Sequence, residues 1–263
     1  MNDEVILRQA ADELYRAQHS GYACSPIRHM VPSGQTYATA YAIQEINTRR
    51  GLASGRRLFG RKIGLASVAT RKPLRLNQPG FGMLFDDMQV PNRARLLLDD
   101  FIQPKVSANI AFVMKAPLEN RVSTPEEIIG ATEYVCTALE IVDSRIAHWD
   151  IDLFDAIADN ASSGMFILSD ERHPLSDFDR FHWKMVMRWC NCETVSTGSA
   201  VDCDLSPLDA ASWLARRMIE LGRPLLAGDC ILVGPLGPMV AVRPGDSYVV
   251  SINGLGNAAV IFD

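Results

Sequence analysis

The chain has 263 residues, 48% of them hydrophobic and 22% charged, with a formal net charge of −5; these are the figures of an ordinary globular protein and exclude a disordered one. Acidic and basic residues are interspersed and no basic run stands out, so no electrostatic footprint for nucleic acid or an anionic membrane is present. No stretch approaches the ~20 apolar residues of a membrane span, and Met1-Asn2-Asp3-Glu4 lacks the cationic start of a secretion signal, so a cytoplasmic protein is expected.

Two helices are expected first. Ile6, Leu7, Ala10, Leu14 and Ala17 recur at three- and four-residue spacing before Gly21, and Ser33 or Thr36 caps a second stretch through Tyr37, Ala40, Tyr41, Gln44 and Ile46 that Gly51 ends. This N-terminal region, 1–56, reads as a helical cap beside a main body, 57–263. From Phe59 to Leu65 the pattern changes to a short glycine-flanked strand, then a polar loop and a turn at Asn77-Gln78-Pro79-Gly80. Residues 106–114 alternate, with Ala108, Ile110, Phe112 and Met114 on one face and Ser107, Asn109, Ala111 and Val113 on the other. Thr124-Pro125-Glu126-Glu127 is a capping box with proline at the first helical position, predicting a helix to about Ala138 that leads into a strand over 139–143. Ser206-Pro207-Leu208-Asp209 starts another helix, stopped at Leu221-Gly222-Arg223-Pro224. Strands over 230–233, 238–243, 247–252 and 258–262 complete an α+β pattern. The cysteines at 24, 136, 190, 192, 203 and 230 lack metal-site spacing and read as free thiols.

Four ordered blocks carry a resemblance: Gly60-Arg61-Lys62-Ile63-Gly64-Leu65-Ala66-Ser67, Gln78-Pro79-Gly80-Phe81-Gly82-Met83-Leu84, Leu139-Glu140-Ile141-Val142-Asp143-Ser144-Arg145 and Ile157-Ala158-Asp159-Asn160-Ala161-Ser162-Ser163-Gly164. With Ala227-Gly228-Asp229-Cys230 and Arg243-Pro244-Gly245-Asp246 near the C-terminus, they resemble the 2-keto-4-pentenoate hydratase and 4-oxalocrotonate decarboxylase family of the fumarylacetoacetate hydrolase-like superfamily. The resemblance implies a mixed β-sheet roll around the active site, preceded by the small helical region.

It also implies site residues. Lys62 corresponds to the family's catalytic lysine, a proton carrier for an enol or dienol intermediate or a cation holding a carboxylate, and Glu140 to a carboxylate at the same centre. Arg145 and Ser162 are expected to bind the substrate carboxylate, with Ser107, Asn109 and Ile110 contributing from their strand. The competing reading makes Asp143 and Arg145 a buried ion pair and the 159–164 loop a structural turn. The family's strand supplies Glu-x-Glu to a divalent metal, because residues i and i+2 share a face. Here those positions are Ser107 and Asn109, so Glu140 is the only remaining carboxylate ligand and no metal, or at most weakly held Mg2+ or Mn2+, is expected. Where many relatives have an aspartate stands Gly80, and Asp86 or Asp87 is a candidate substitute.

The function so implied is a lyase of hydratase or decarboxylase type acting on a small 2-oxo-enoate or 2-hydroxydienoate acid, as a homo-oligomer or beside a paralogous subunit. The neutral positions leave open a metal-independent isomerase or cyclase, and a non-catalytic subunit stabilising an active paralogue.

Overall fold

A computed structural model describes residues 3–31, 34–64, 79–119, 124–190, 192–202 and 205–263. The Leu65–Ser67 part of the first block, Gln78, Ser33 and Cys203 lie outside the described residues.

Helices α1 (Asp3–Ser20) and α2 (Tyr37–Ala53) open the chain. Thr36 caps α2 by accepting the Thr39 N–H at 3.2 Å, while the Thr39 hydroxyl accepts the Thr36 N–H in return. Strands β1 (Leu58–Gly64), β2 (Gly80–Phe85), β3 (Gln89–Val90), β5 (Pro104–Met114), β6 (Thr132–Asp143), β7 (Ser163–Leu168) and β10 (Cys230–Val233) form one mixed sheet in the order β2-β1-β10-β5-β6-β7-β3, with β11 (Val240–Ala241) on the start of β5. A second sheet runs β4 (Ala94–Leu96), β13 (Gly256–Phe262), β12 (Ser247–Ile252), β8 (Lys184–Trp189) and β9 (Glu193–Ser199). β12 and β13 pack on β6, and the core between the sheets holds Phe112, Phe166, Trp183, Tyr248 and Phe262, all at most 2% exposed.

The capping box at Thr124 is formed as expected, with Glu127 Oε2 accepting the Thr124 N–H at 3.1 Å. The helix it starts, α3 (Pro125–Ala131), is shorter than the pattern suggests, because β6 begins at Thr132 rather than at 139. Pairing explains the difference. The β-branched and aromatic run Thr132-Glu133-Tyr134-Val135-Cys136-Thr137 finds partners along β5 from Met114 to Ile110, and a full ladder outweighs the modest helix preference of so short a segment. Helix α5 (Pro207–Glu220), capped by Ser206, packs beside β1 and β10.

A smaller apolar cluster joins α1 and α2 to helix α4 (Leu153–Ala158): Ala10, Leu14, Ile27, Ala40 and Ile43 meet Ile146, Phe154 and Ile157. The N-terminal helices therefore share their core with the segment after β6, a contact between regions distant in sequence. Arg28 adds an ion-pair clasp to Asp150 and Asp155. Gln44, 3% exposed, donates its amide both to Phe81 O at 3.0 Å in β2 and to Ile157 O at 2.9 Å in α4. Replacing it by leucine keeps the volume but orphans two buried carbonyls. Gln44→Leu is expected to lower stability by about 1–3 kcal/mol in urea denaturation, with the slope unchanged.

Candidate active site

Register brings the expected residues together. On β5 the odd-numbered side chains Lys105, Ser107 and Asn109 project from one face, and Ser107 lies opposite Glu140 of β6. β1 reaches the same place through β10, with Lys62 opposite Leu232 on one side and Gly82 of β2 on the other. Lys62, Ser107 and Glu140 line a cavity of about 320 Å3 together with Ser162. Val142, Trp149, Ile151, Ile157, Pro235 and Met239 make much of the remaining lining apolar, with Lys105 among them.

At the inner end Lys62 Nζ forms a buried ion pair with Glu140 and donates to Ala161 O at 2.9 Å. Both charged side chains are at most 5% exposed. A buried charge without a partner costs several kcal/mol, so each of these groups requires the other. Asn109, 1% exposed, sits behind the pair. Its amide nitrogen donates to Ser107 Oγ at 3.3 Å and makes a long contact to Glu140 Oε2 at 3.5 Å. Its oxygen lies against Gly234, where an added Cβ would stand 1.9 Å from Oδ1. Only glycine permits that approach.

The carbonyl facing Lys62 belongs to an unusual turn. Asn160, Ala161 and Ser162 have φ of 53°, 53° and 52°, three successive non-glycine residues in the left-handed region, a conformation that costs roughly 1–2 kcal/mol per residue. The surroundings impose it. Asn160 accepts the Met83 N–H at 2.7 Å and donates to Met83 O at 2.9 Å, and Ser162 donates its hydroxyl to Asp159 at 3.1 Å. Arg145 braces the turn from behind: its guanidinium pairs with the Asp159 carboxylate and donates to Asp159 O, to Asp143 O at 2.8 Å and to Ser163 O at 2.7 Å.

Several expectations change in detail. Arg145 lies outside the cavity with its donors engaged, so the substrate-binding role expected of it is replaced by a bracing one; its ionic partner is Asp159, not Asp143. The Asp143 carboxylate instead accepts the Ile102 and Gln103 N–H groups at 3.0 and 2.7 Å. Ile110 points into the core, 0% exposed, on the face opposite Ser107, so it cannot touch a ligand in the cavity. Gly80 lines the cavity, but Asp86 and Asp87 do not replace the missing acid there: they pair with Arg57 and Arg56. Lys105 and Trp149 were missed in the sequence. The alternation of β5 was the available signal for Lys105, which stands two residues before Ser107. Its Nζ lies 4.0 Å from the centroid of the Trp149 ring, and partial burial lowers its pKa. Trp149 itself has φ of 55°, and its indole N–H donates to Gln103 O at 3.0 Å.

A buried lysine–carboxylate pair lining a cavity, carried on β1 and β6 of one mixed sheet, agrees with the resemblance, and the chain belongs to the fumarylacetoacetate hydrolase family: the Fumarylacetoacetate (FAA) hydrolase C-terminal family matches residues 67–261. Within it the chain is a lyase similar to hydratases. It is 48% identical to the TodF product hydratase of Pseudomonas putida, over 97% of this chain and 95% of that one, and 46% identical to 2-keto-4-pentenoate hydratase 1 of Dechloromonas aromatica, over 99% of each. The 4-oxalocrotonate decarboxylase from Pseudomonas putida G7, solved with magnesium and adipate, superposes with a TM-score of 0.93 at 31% identity, covering 100% of this chain and 99% of that one.

That structure corrects the expectation about cofactors. The decarboxylase was solved with magnesium and also with calcium, so divalent metal belongs to this fold's chemistry and its absence was wrongly expected. The side chains of this chain do not fit such an ion as they stand. Glu140 is occupied by Lys62, Asn109 turns its N–H rather than its oxygen toward the carboxylate, and Ser107 brings no charge. Among the described residues no group of three or more His, Cys, Asp or Glu could hold a metal ion.

Two measurements test this geometry. Arg145→Met leaves Asp159 buried without its cation and is expected to destabilise the fold by about 3–5 kcal/mol in chemical denaturation. A folded variant of wild-type stability with a raised KM would instead restore Arg145 as a substrate ligand. The double variant S107E/N109E adds two carboxylates on one strand face beside Glu140. Calorimetric titration with Mn2+ is expected to show affinity at least about 10-fold above that of the unsubstituted protein; equal affinities would show that these positions do not govern cation binding.

Proposed function

We propose that the chain is a hydratase-type lyase acting on a small 2-hydroxydienoate or 2-oxo-enoate acid, with Lys62 and Glu140 as its proton-transfer pair. The observation that carries the reading is the buried Lys62–Glu140 pair at the closed end of a largely apolar cavity, in a chain whose relatives include 2-keto-4-pentenoate hydratases and, at 34% identity, the 2-hydroxyhexa-2,4-dienoate hydratase of Comamonas testosteroni.

Such a substrate is flat, conjugated and mostly apolar with one acidic end, which suits a cavity walled by Val142, Ile157 and Met239. The reaction needs a proton removed from the 2-hydroxyl and one added to the far carbon of the diene, giving a 2-oxo-3-enoate. Water then adds across the remaining double bond, its hydroxyl to C4 and its proton to C3. Lys62 carries a proton at Nζ and Glu140 can accept one, so together they can move it between substrate oxygen and carbon without releasing net charge into the cavity. Ala161 O holds the ammonium in place, and the strained turn holds Ala161. The apolar walls exclude bulk water and strengthen the electrostatic interactions inside.

The assay is loss of dienol absorbance across a panel of 2-hydroxydienoates of increasing chain length, with and without Mg2+. Turnover of at least one member is expected, and no turnover of any would end this reading. Lys62→Met is expected to lower kcat by about 100-fold or more if Nζ is the proton carrier. Because it strands Glu140, the comparison is made with K62M/E140Q, which is neutral at both positions, after circular dichroism confirms folding. Undiminished kcat in that double variant would remove the pair from the mechanism.

A further inference from the structure

Among the described residues, the cavity lining contains one cation that the proton-transfer pair does not use. Lys62 is neutralised by Glu140, whereas Lys105, farther along the same wall, makes no ion pair among the described residues. Its Nζ lies over the Trp149 ring, 4.0 Å from the centroid. An aromatic face attracts the ammonium but leaves its N–H donors unsatisfied. The support behind it is built: the Trp149 indole donates to Gln103 O at 3.0 Å, and the Gln103 side chain donates to Ser144 O at 2.9 Å. The chain accepts a left-handed conformation at Trp149, with φ of 55°, to hold the ring there. Such an outlier in a cavity wall points to function.

We propose that Lys105, positioned by Trp149, is the carboxylate anchor of this cavity and sets its preference for acids bearing a single carboxylate, with the unsaturated chain directed along the apolar wall toward Lys62. This rests on the functional reading above and names the group that recognises the acidic end. On β5 Lys105 stands opposite Val142 and Ser107 opposite Glu140, the carboxylate that Lys62 reaches from β1. Lys105 therefore stands one same-face step along β5, about 6.5 Å, from the level of Glu140. A second carboxylate would meet no further unpaired cation among the described lining residues.

The test uses the full chain and 2-oxopentanoate, a saturated acid that cannot undergo the reaction, with uncharged 2-pentanone as control. By calorimetry, unsubstituted protein is expected to bind the acid in preference to the ketone. Lys105→Met should weaken acid binding by about 10-fold or more, and Lys105→Arg should retain most of it. Thermal unfolding should not change, because no carboxylate is left unpaired. With a dienoate that turns over, K105M should raise KM by the same factor and leave kcat within about 3-fold. Equal acid affinity in K105M and unsubstituted protein overturns the anchor, as does an unsubstituted protein that binds no acid. Acid binding that depends on Lys105 without turnover of any dienoate would sustain the anchor and sink the hydratase reading. Unchanged KM in K105M with normal turnover would do the reverse.

Discussion

The site depends on the cost of keeping the charge of Glu140 inside the sheet. Glu140 lies in the middle of β6, 3% exposed, where a carboxylate is tolerated only with a cation and hydrogen-bond donors beside it. Strand order supplies the cation, since β10 places β1 on one side of β5 while β6 lies on the other. Lys62 must then reach across to Glu140, and the Ala161 carbonyl accepts a further hydrogen bond from its ammonium. Replacing either partner by an apolar residue would leave a charge more costly than the pair itself is stabilising. Retention of both residues is therefore partly a requirement of folding, whatever their chemistry adds.

A second buried pair makes that geometry durable. Arg145 and Asp159 contribute nothing to the cavity surface, yet they fix the turn that carries Ala161 and Ser162. Three consecutive left-handed residues would relax if unsupported. The turn is locked from one side by Arg145 and from the other by Asn160 on the main chain of β2. Gln44 extends the lock to the N-terminal helices by joining β2 to α4, so the cap region is tied to the elements that shape the cavity.

Much of this was legible in the sequence where local rules act alone. The capping box at Thr124, the Ser206 cap and the alternation of β5 each depend on neighbouring residues, and each is formed. The early start of β6 was not legible, because it depends on pairing with Ile110–Met114 of β5, and β8 was missed because its partner β12 lies far along the chain, leaving β9, which pairs with β8, unsignalled as well. Lys62 and Glu140 were legible through the resemblance, but the partner of Arg145 was not: Asp143 and Asp159 are both near in sequence, and only the folded turn decides between them. The metal expectation failed for a different reason. Counting lost carboxylates describes the ligands in this chain, whereas the solved neighbours bear on the chemistry of the fold.

Those lost carboxylates also alter what the cavity attracts. Before any ion or substrate enters, the described lining carries Lys62 and Lys105 against Glu140 alone, a surplus of positive charge. Glutamates at 107 and 109 would reverse that sign and repel an anionic acid until a cation bridged the two. Neutral residues there remove the repulsion and leave the field of Lys105 uncancelled, in a setting where low polarity makes a single charge act strongly. The same two substitutions that weaken the ligand set for a cation therefore strengthen the electrostatic case for direct recognition of a carboxylate, and they move recognition along β5 from the Glu140 end of the cavity to the lysine resting on Trp149.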